Sequence, residues 1–244
     1  MTDGRRAVRE SLDTGALYET LRQRFVSTVG ALTVAELKMR VFATPAWSVH
    51  DVLGHVVALV TNLNAQHFPD SDDVGGVLWA ERQVTESRGV AVSTLVESWD
   101  REAPAFEIGL RAFGYEMGCH FIADLHAHHQ DIRGTLGLPR DMDSLTVAVS
   151  LDHYLNFIND MLMTSMWGTL DVVAGGELRR LGVDGRHRAS VTGSAFEVLR
   201  TFSARRSAGQ IRELEWSGDV GSLVAELSSG FSGGYSMPRL ASNE

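Results

Sequence analysis

Cysteine is almost missing from this 244-residue chain: Cys119 stands alone. An internal disulfide framework is therefore excluded, which fits a reducing compartment. Lysine is equally scarce, with Lys38 the single one among 22 basic residues. Positive charge is in deficit overall, since 31 acidic residues leave a net charge of -9. That balance argues against nucleic-acid binding, which usually shows a basic patch. Long apolar runs are lacking too. The longest, Val52 to Val60, is interrupted by Gly54 and His55 and falls well short of the ~20 residues a membrane helix needs. The opening Met1-Thr2-Asp3-Gly4-Arg5-Arg6 leads into a mixed-charge segment rather than an apolar core. No signal peptide is read there, and the cytoplasm is the expected compartment. No internal repeat is evident.

What is present is ordinary globular composition, 44% hydrophobic and 22% charged, in a length that allows one large or two small domains. Leu17, Leu21, Phe25 and Val29 recur at helical spacing and predict an amphipathic helix over Asp13 to Leu32. A short element or loop follows, ended by Pro45. Ser48, with Asp51 three residues on, predicts a capped second helix to about Gln66, and His55 lies on its apolar stripe between Val52 and Leu59. Asp70 to Gly76 reads as a loop. Val77 to Ser87 continues the chain, and Ser93 is expected to cap a third helix kinked or broken at Pro104. A central helix is predicted from Tyr115 to Leu136, stopped by Gly137-Leu138-Pro139, and helical spacing resumes from Ser144 to Trp167. The expectation is a four-helix bundle over residues 1–168.

Glycines then punctuate short β-prone pieces, Leu170 to Val173 and His187 to Val191, with an Asp184-Gly185 hairpin signal. Ser194 is expected to cap a helix, and Val220 to Leu227 to form a last short one. Residues 169–244 are thus expected to form a small α/β domain, with a fraying tail whose Phe231 and Tyr235 tuck against the bundle.

The chemistry concentrates in Cys119 to Arg133, which holds four of the nine histidines and two carboxylates without proline or glycine. On a helix, His120, Asp124, His128 and Asp131 share one narrow arc, edged by Met117, Phe121 and Ala127. Buried Asp and His demand a partner or a metal. Asp124 and His128, four apart, can converge on one ion, and His55 from another helix would complete a two-histidine, one-carboxylate set with open positions. Helical pairs of this kind also arise as satisfied structural pairs, so both readings stand at this point. His120, one turn earlier, is open to three roles: fourth ligand, partner of a ligand, or proton shuttle. His126 and His129 point elsewhere on the wheel and read as surface or interdomain residues. Cys119 reads as a small packed residue. Asp131 and Arg133 read as fixing helix packing or orienting a ligand histidine, and Met161, Met163 and Met166 as core filler or a pocket wall. Ser207 reads as a cap.

Trp47-Ser48-Val49-His50-Asp51-Val52-Leu53-Gly54-His55 resembles the W-[ST]-V-x-D-V-x-x-H segment of the mycothiol-dependent maleylpyruvate isomerase family, within the DinB-like metal-binding bundles. Asp124-x-x-x-His128-x-x-Asp131-Ile132-Arg133 is similar to that family's E-x-x-x-H-x-x-D-[IV]-R segment, with Gly137 to Pro139 after it. Ala204 to Gln210, followed by Trp216 and Gly218-Asp219, resembles its small C-terminal domain. The resemblance implies a zinc-type divalent site of His55, Asp124 and His128, in an enzyme using mycothiol or a similar thiol. Asp124 departs from the family's glutamate. It is one methylene shorter, so the ion must sit closer to the helix axis, or His120 or a water must assist.

A metal-bound thiol is deprotonated at neutral pH, whereas a free thiol has a pKa near ~8.5. The resulting thiolate would attack an electrophilic small molecule, giving isomerisation if it departs and S-conjugation if it stays. Arg82 and Arg206 are the candidates for gripping substrate or thiol-cofactor oxygens, beside the alternative that each forms a structural salt bridge. The competing class is a non-catalytic binding or regulatory relative, or a metal-free enzyme using His120, Asp124 and His128 as acid and base. The expected partners are a thiol and a small electrophile, with no nucleic acid and no membrane, in a monomer or homodimer.

Overall fold

A computed structural model of the chain describes residues 8–73, 76–218 and 220–224. Helix α1 (Thr14–Gly30) opens under Asp13, whose carboxylate accepts the Ala16 N–H, and buries Tyr18, Leu21, Phe25 and Val29 along one side. A short α2 (Val34–Leu37) carries a Thr33–Glu36 capping box. Strands β1 (Arg40–Val41) and β2 (Thr44–Ser48) form an antiparallel ribbon. Ser48 ends that ribbon and caps α3 (Val49–Asn64), and Asp51 closes the expected capping box. Four more helices follow: α4 (Val77–Ser87), α5 (Val92–Phe113), α6 (Tyr115–Thr135) and α7 (Ser144–Ser165).

Helices α1, α3, α5 and α6 enclose one core, in which Phe25, Leu53, Trp99 and Ile122 are fully buried. The Phe25 and Trp99 rings meet edge to face at 5.5 Å. Helix α5 differs from expectation at two points. Its N-cap is Ala91, not Ser93, because Val92 and Leu95 are already packed on the core. It is also not broken at Pro104, the second of the two alternatives expected there, but runs on to Phe113. Pro104 lies on the exposed face, where the carbonyl that its missing N–H leaves free is open to solvent.

The fifth long helix, α7, faces a second core. Val147, Leu151, Leu155, Ile158 and Leu162 pack against a sheet and against α8 (Ala195–Phe202), which Ser194 caps as expected. That sheet comprises β3 (Gly168–Ala174), β4 (Glu177–Gly182), β5 (His187–Gly193) and β6 (Glu215–Gly218), in the order β4-β3-β5-β6. Strands β3 and β5 run parallel, and the outer pairs antiparallel. The hairpin expected at Asp184-Gly185 is not formed, since β4 and β5 lie on opposite sides of β3. The tight turn falls at Gly175-Gly176, both with positive φ (56° and 83°), between the paired Ala174 and Glu177. A two-residue hairpin loop needs that conformation, and glycine adopts it without strain.

Ser207 caps the short α9 (Ala208–Arg212) in a capping box with Gln210. Leu223 and Val224, from the last expected helix, are buried in the second core. Residues 225–227 of that expected helix, and Phe231 and Tyr235, lie outside the described residues. Met163 and Met166 are exposed, not core filler or pocket wall, while Met161 packs on the second core. Among the described residues no helix is long and apolar enough to cross a membrane.

Candidate metal centre

Helices α3 and α6 bring His55, Asp124 and His128 together, with one ligand-type atom from each lying within 4.8 Å of the others. Nε2 of His128 is 3.7 Å from Oδ1 of Asp124, close to the ~3.4 Å that separates two tetrahedral ligands each ~2.1 Å from zinc. The shorter aspartate therefore still reaches its neighbour. His55 and His128 meet edge to face at 5.2 Å, and the indole of Trp47 lies against both, 5.0 Å from His55 and 6.2 Å from His128. Glu81 holds that indole, accepting its Nε1–H at 2.8 Å.

The protonation states suit a cation. Burial, together with the neighbouring His128, pushes His55 down to about 4, so it is neutral at pH 7. Burial lowers His128 as well, outweighing the pull of Asp124 and Asp131. Burial works against ionisation of Asp124, but His128, His55, His120 and Arg205 together hold it below the usual carboxylate range. Two neutral imidazoles and an ionised carboxylate are the forms a divalent metal requires. Nδ1 of His55 donates to Oε1 of Gln83 at 2.9 Å, which leaves the Nε2 lone pair for a ligand. Asp131 lies behind His128, its Oδ2 3.9 Å from Nδ1. The donor set thus fits the implied metal.

These three residues lie in a cavity of about 510 Å³. Trp47, Trp79, Phe121, Leu59 and Val77 give it apolar walls, and His120 and Arg205 also face it. His120 is not one of the three converging residues; its Nδ1 is 3.3 Å from Nε2 of His153 on α7.

Neither arginine singled out from the sequence lines the cavity. Arg82 is exposed on α4 and paired with Asp70 at 3.4 Å. Arg206 is buried and holds Glu197 at 2.9 Å. Their neighbours in sequence do meet the site: Gln83 bonds the His55 ring, and Arg205 lines the cavity. On a helix one residue is a 100° rotation, so Arg82 and Gln83 face opposite media. Arg205 also donates to Asp131 at 3.1 Å, and Arg200 joins from α8 at 2.8 Å. This buried cluster pins the C-terminal layer to α6. His126 and His129 are both buried, contrary to the surface reading. His129 Nε2 is 2.9 Å from the Thr28 hydroxyl, and His126 Nε2 is 3.0 Å from the Gln130 amide. Cys119 is buried as expected, and its thiol donates to the Glu116 carbonyl at 3.2 Å. Arg133 bonds the Pro139 carbonyl, which ties down the end of α6.

A helical bundle with a His-Asp-His cluster, closed on one side by a small α/β layer, is the DinB-like arrangement. Residues 18–120 match the family model described as the mycothiol maleylpyruvate isomerase N-terminal domain. Two crystal structures of the mycothiol-dependent maleylpyruvate isomerase share the fold. A mutant form aligns with a TM-score of 0.59 at 12% identity, covering 84% of this chain and 91% of that one. A second aligns at 0.57 and 13% identity, over 79% and 88%. Comparison with curated proteins finds no match.

Proposed function

We propose that this protein is a metal-dependent enzyme that activates a low-molecular-weight thiol, mycothiol or one like it, for attack on an electrophilic small molecule, as a transferase or an isomerase. The observation that supports it most is the convergence of His55, Asp124 and His128 within 4.8 Å on the wall of a cavity that also admits a small molecule. A divalent cation held by these three residues, zinc by the character of the donors, would make a bound thiol a thiolate at neutral pH.

The chain's own residues supply the rest. Gln83 fixes the His55 ring so that its free nitrogen faces the site. Trp47, anchored on Glu81, shields both imidazoles from water. Arg205 brings positive charge from the C-terminal layer to the cavity lining, near Asp124 and His128. His120 lines the cavity with its Nδ1 3.3 Å from Nε2 of His153, and to it we assign the transfer of the thiol's proton to the carbon next to the one attacked. The cytoplasm is the proposed compartment, since mycothiol-type thiols and a lone buried cysteine both belong to a reducing milieu.

The test is metal analysis of the purified protein and of Asp124→Ala. About one equivalent of zinc in the first and a loss of at least tenfold in metal affinity in the second is expected. Absence of metal from protein prepared with zinc present would overturn the reading and favour a metal-free relative.

A further inference from the structure

The charges around the cavity narrow its substrate. Among the described lining residues Arg205 is the single arginine or lysine, against three carboxylates, Asp73, Glu81 and Asp124. Arg205 is already engaged, because Nε and Nη2 both donate to Asp131 and Nη1 donates to the Ser203 carbonyl. Asp124 belongs to the metal cluster. Asp73 and Glu81 also line the cavity: Asp73 accepts the Leu78 and Trp79 N–H groups at 2.9 and 2.7 Å, and Glu81 holds Trp47. Asp124 and the bound thiolate would neutralise a divalent cation held by the triad, so a substrate carrying two carboxylates would meet Asp73 and Glu81 with only the already engaged Arg205 to offset them, and desolvating unpaired charge is costly.

The remaining surface is aromatic. Trp47, Trp79 and Phe121, with Leu59, Pro69 and Val77, line the cavity. Flat π faces reward a flat, apolar ligand beyond simple area burial. We infer that the site takes an uncharged, flat, conjugated electrophile, such as an unsaturated cyclic ketone or a quinone, and not a dicarboxylate.

The inference rests on the thiol reading above and specifies the acceptor. In the reaction, the thiol sulfur forms a C–S bond to the β-carbon of the enone, and the C=C π bond breaks. Its electron pair moves toward the carbonyl oxygen and returns to the α-carbon, which takes up the proton lost from the thiol. The product is a thioether holding every atom of both reactants, with no oxidant or reductant needed.

The test uses unreactive probes in the absence of thiol, so that it fails or succeeds separately from the thiol chemistry. Binding of 2-naphthol and of naphthalene-2,6-dicarboxylate to the zinc-loaded protein is followed by quenching of tryptophan fluorescence. The naphthol is expected to bind at least ~tenfold more tightly than the dianion, and Trp79→Ala to weaken the naphthol by up to ~tenfold. Retained zinc in the variant shows that the bundle is intact. Dicarboxylate binding as tight as the naphthol, no binding of either probe below millimolar concentration, or naphthol binding unchanged in Trp79→Ala would each overturn the inference. A zinc-free protein that still prefers the naphthol would sink the thiol reading and leave the charge argument standing.

Discussion

Gln83 determines which nitrogen of His55 faces the cavity, since its Oε1 lies 2.9 Å from Nδ1. Removing that acceptor while keeping the volume frees the imidazole to rotate and to change tautomer. Gln83→Leu is therefore expected to lower zinc affinity ~10- to 100-fold with little loss of fold, measured by competition with a chelator. Unchanged affinity would show that the ring is held by its packing against Trp47 alone. The residue scale is also where the sequence was most and least legible. His55, Asp124 and His128 could be placed on facing helices because an apolar stripe and an i, i+4 spacing are local patterns. Gln83 and Arg205 could not, because helical spacing does not say which side of α4 meets α3, and a loop arginine has no period at all. His153 was hidden in the same way, since its relation to His120 depends on how α6 packs against α7.

At the scale of elements, two helix crossings leave no room for a side chain. A Cβ on Gly118 would lie 2.4 Å from the Thr14 Cβ, and one on Gly54 2.5 Å from the Ser87 Cβ. Gly118→Ala must push α6 away from α1, and is expected to destabilise the protein by ~1–3 kcal/mol in urea unfolding. An unchanged midpoint would mean that the two helices part without cost. The element most readable beforehand was α3, whose Ser48 cap, Asp51 and apolar stripe agree with one another. Strand β6 and the pairing of β4 were not readable. Four to six residues of mixed polarity carry little period-2 signal, and two glycine-containing turns competed for one hairpin. Gly175-Gly176 prevails because both positions need positive φ, which Asp184 does not supply.

At the scale of the whole molecule, buried histidines make stability depend on pH. Burial, with Arg200 nearby, pushes His126 down to about 4 from 6.5, and burial with Arg133 pushes His129 to about 3. Between pH 6.5 and those values the unfolded chain binds protons that the folded one refuses, so stability falls as pH falls, at up to ~1.4 kcal/mol per unit for each. Asp131 extends the loss: burial raises it, but Arg205 and Arg200 prevail and hold it at about 2. Its contribution, present above about pH 4, disappears as pH drops toward 2. The urea midpoint, taken with a chelator present so that metal release does not contribute, is therefore expected to fall steadily from pH 7 to pH 4. A flat profile would contradict the burial of these histidines. The joint between the two cores was partly legible, because glycines mark where the sheet begins. The role of α7 was not, since an apolar stripe does not reveal which of two cores it faces.

The central claim, that a thiol is activated on a cation held by His55, Asp124 and His128, is tested most directly by cobalt. Cobalt(II) in place of zinc should give the visible absorption of a low-coordinate site. Adding mycothiol, or a simple thiol in its place, should produce a new near-ultraviolet sulfur-to-cobalt charge-transfer band, absent from Asp124→Ala. A cobalt spectrum that no thiol alters would contradict the account.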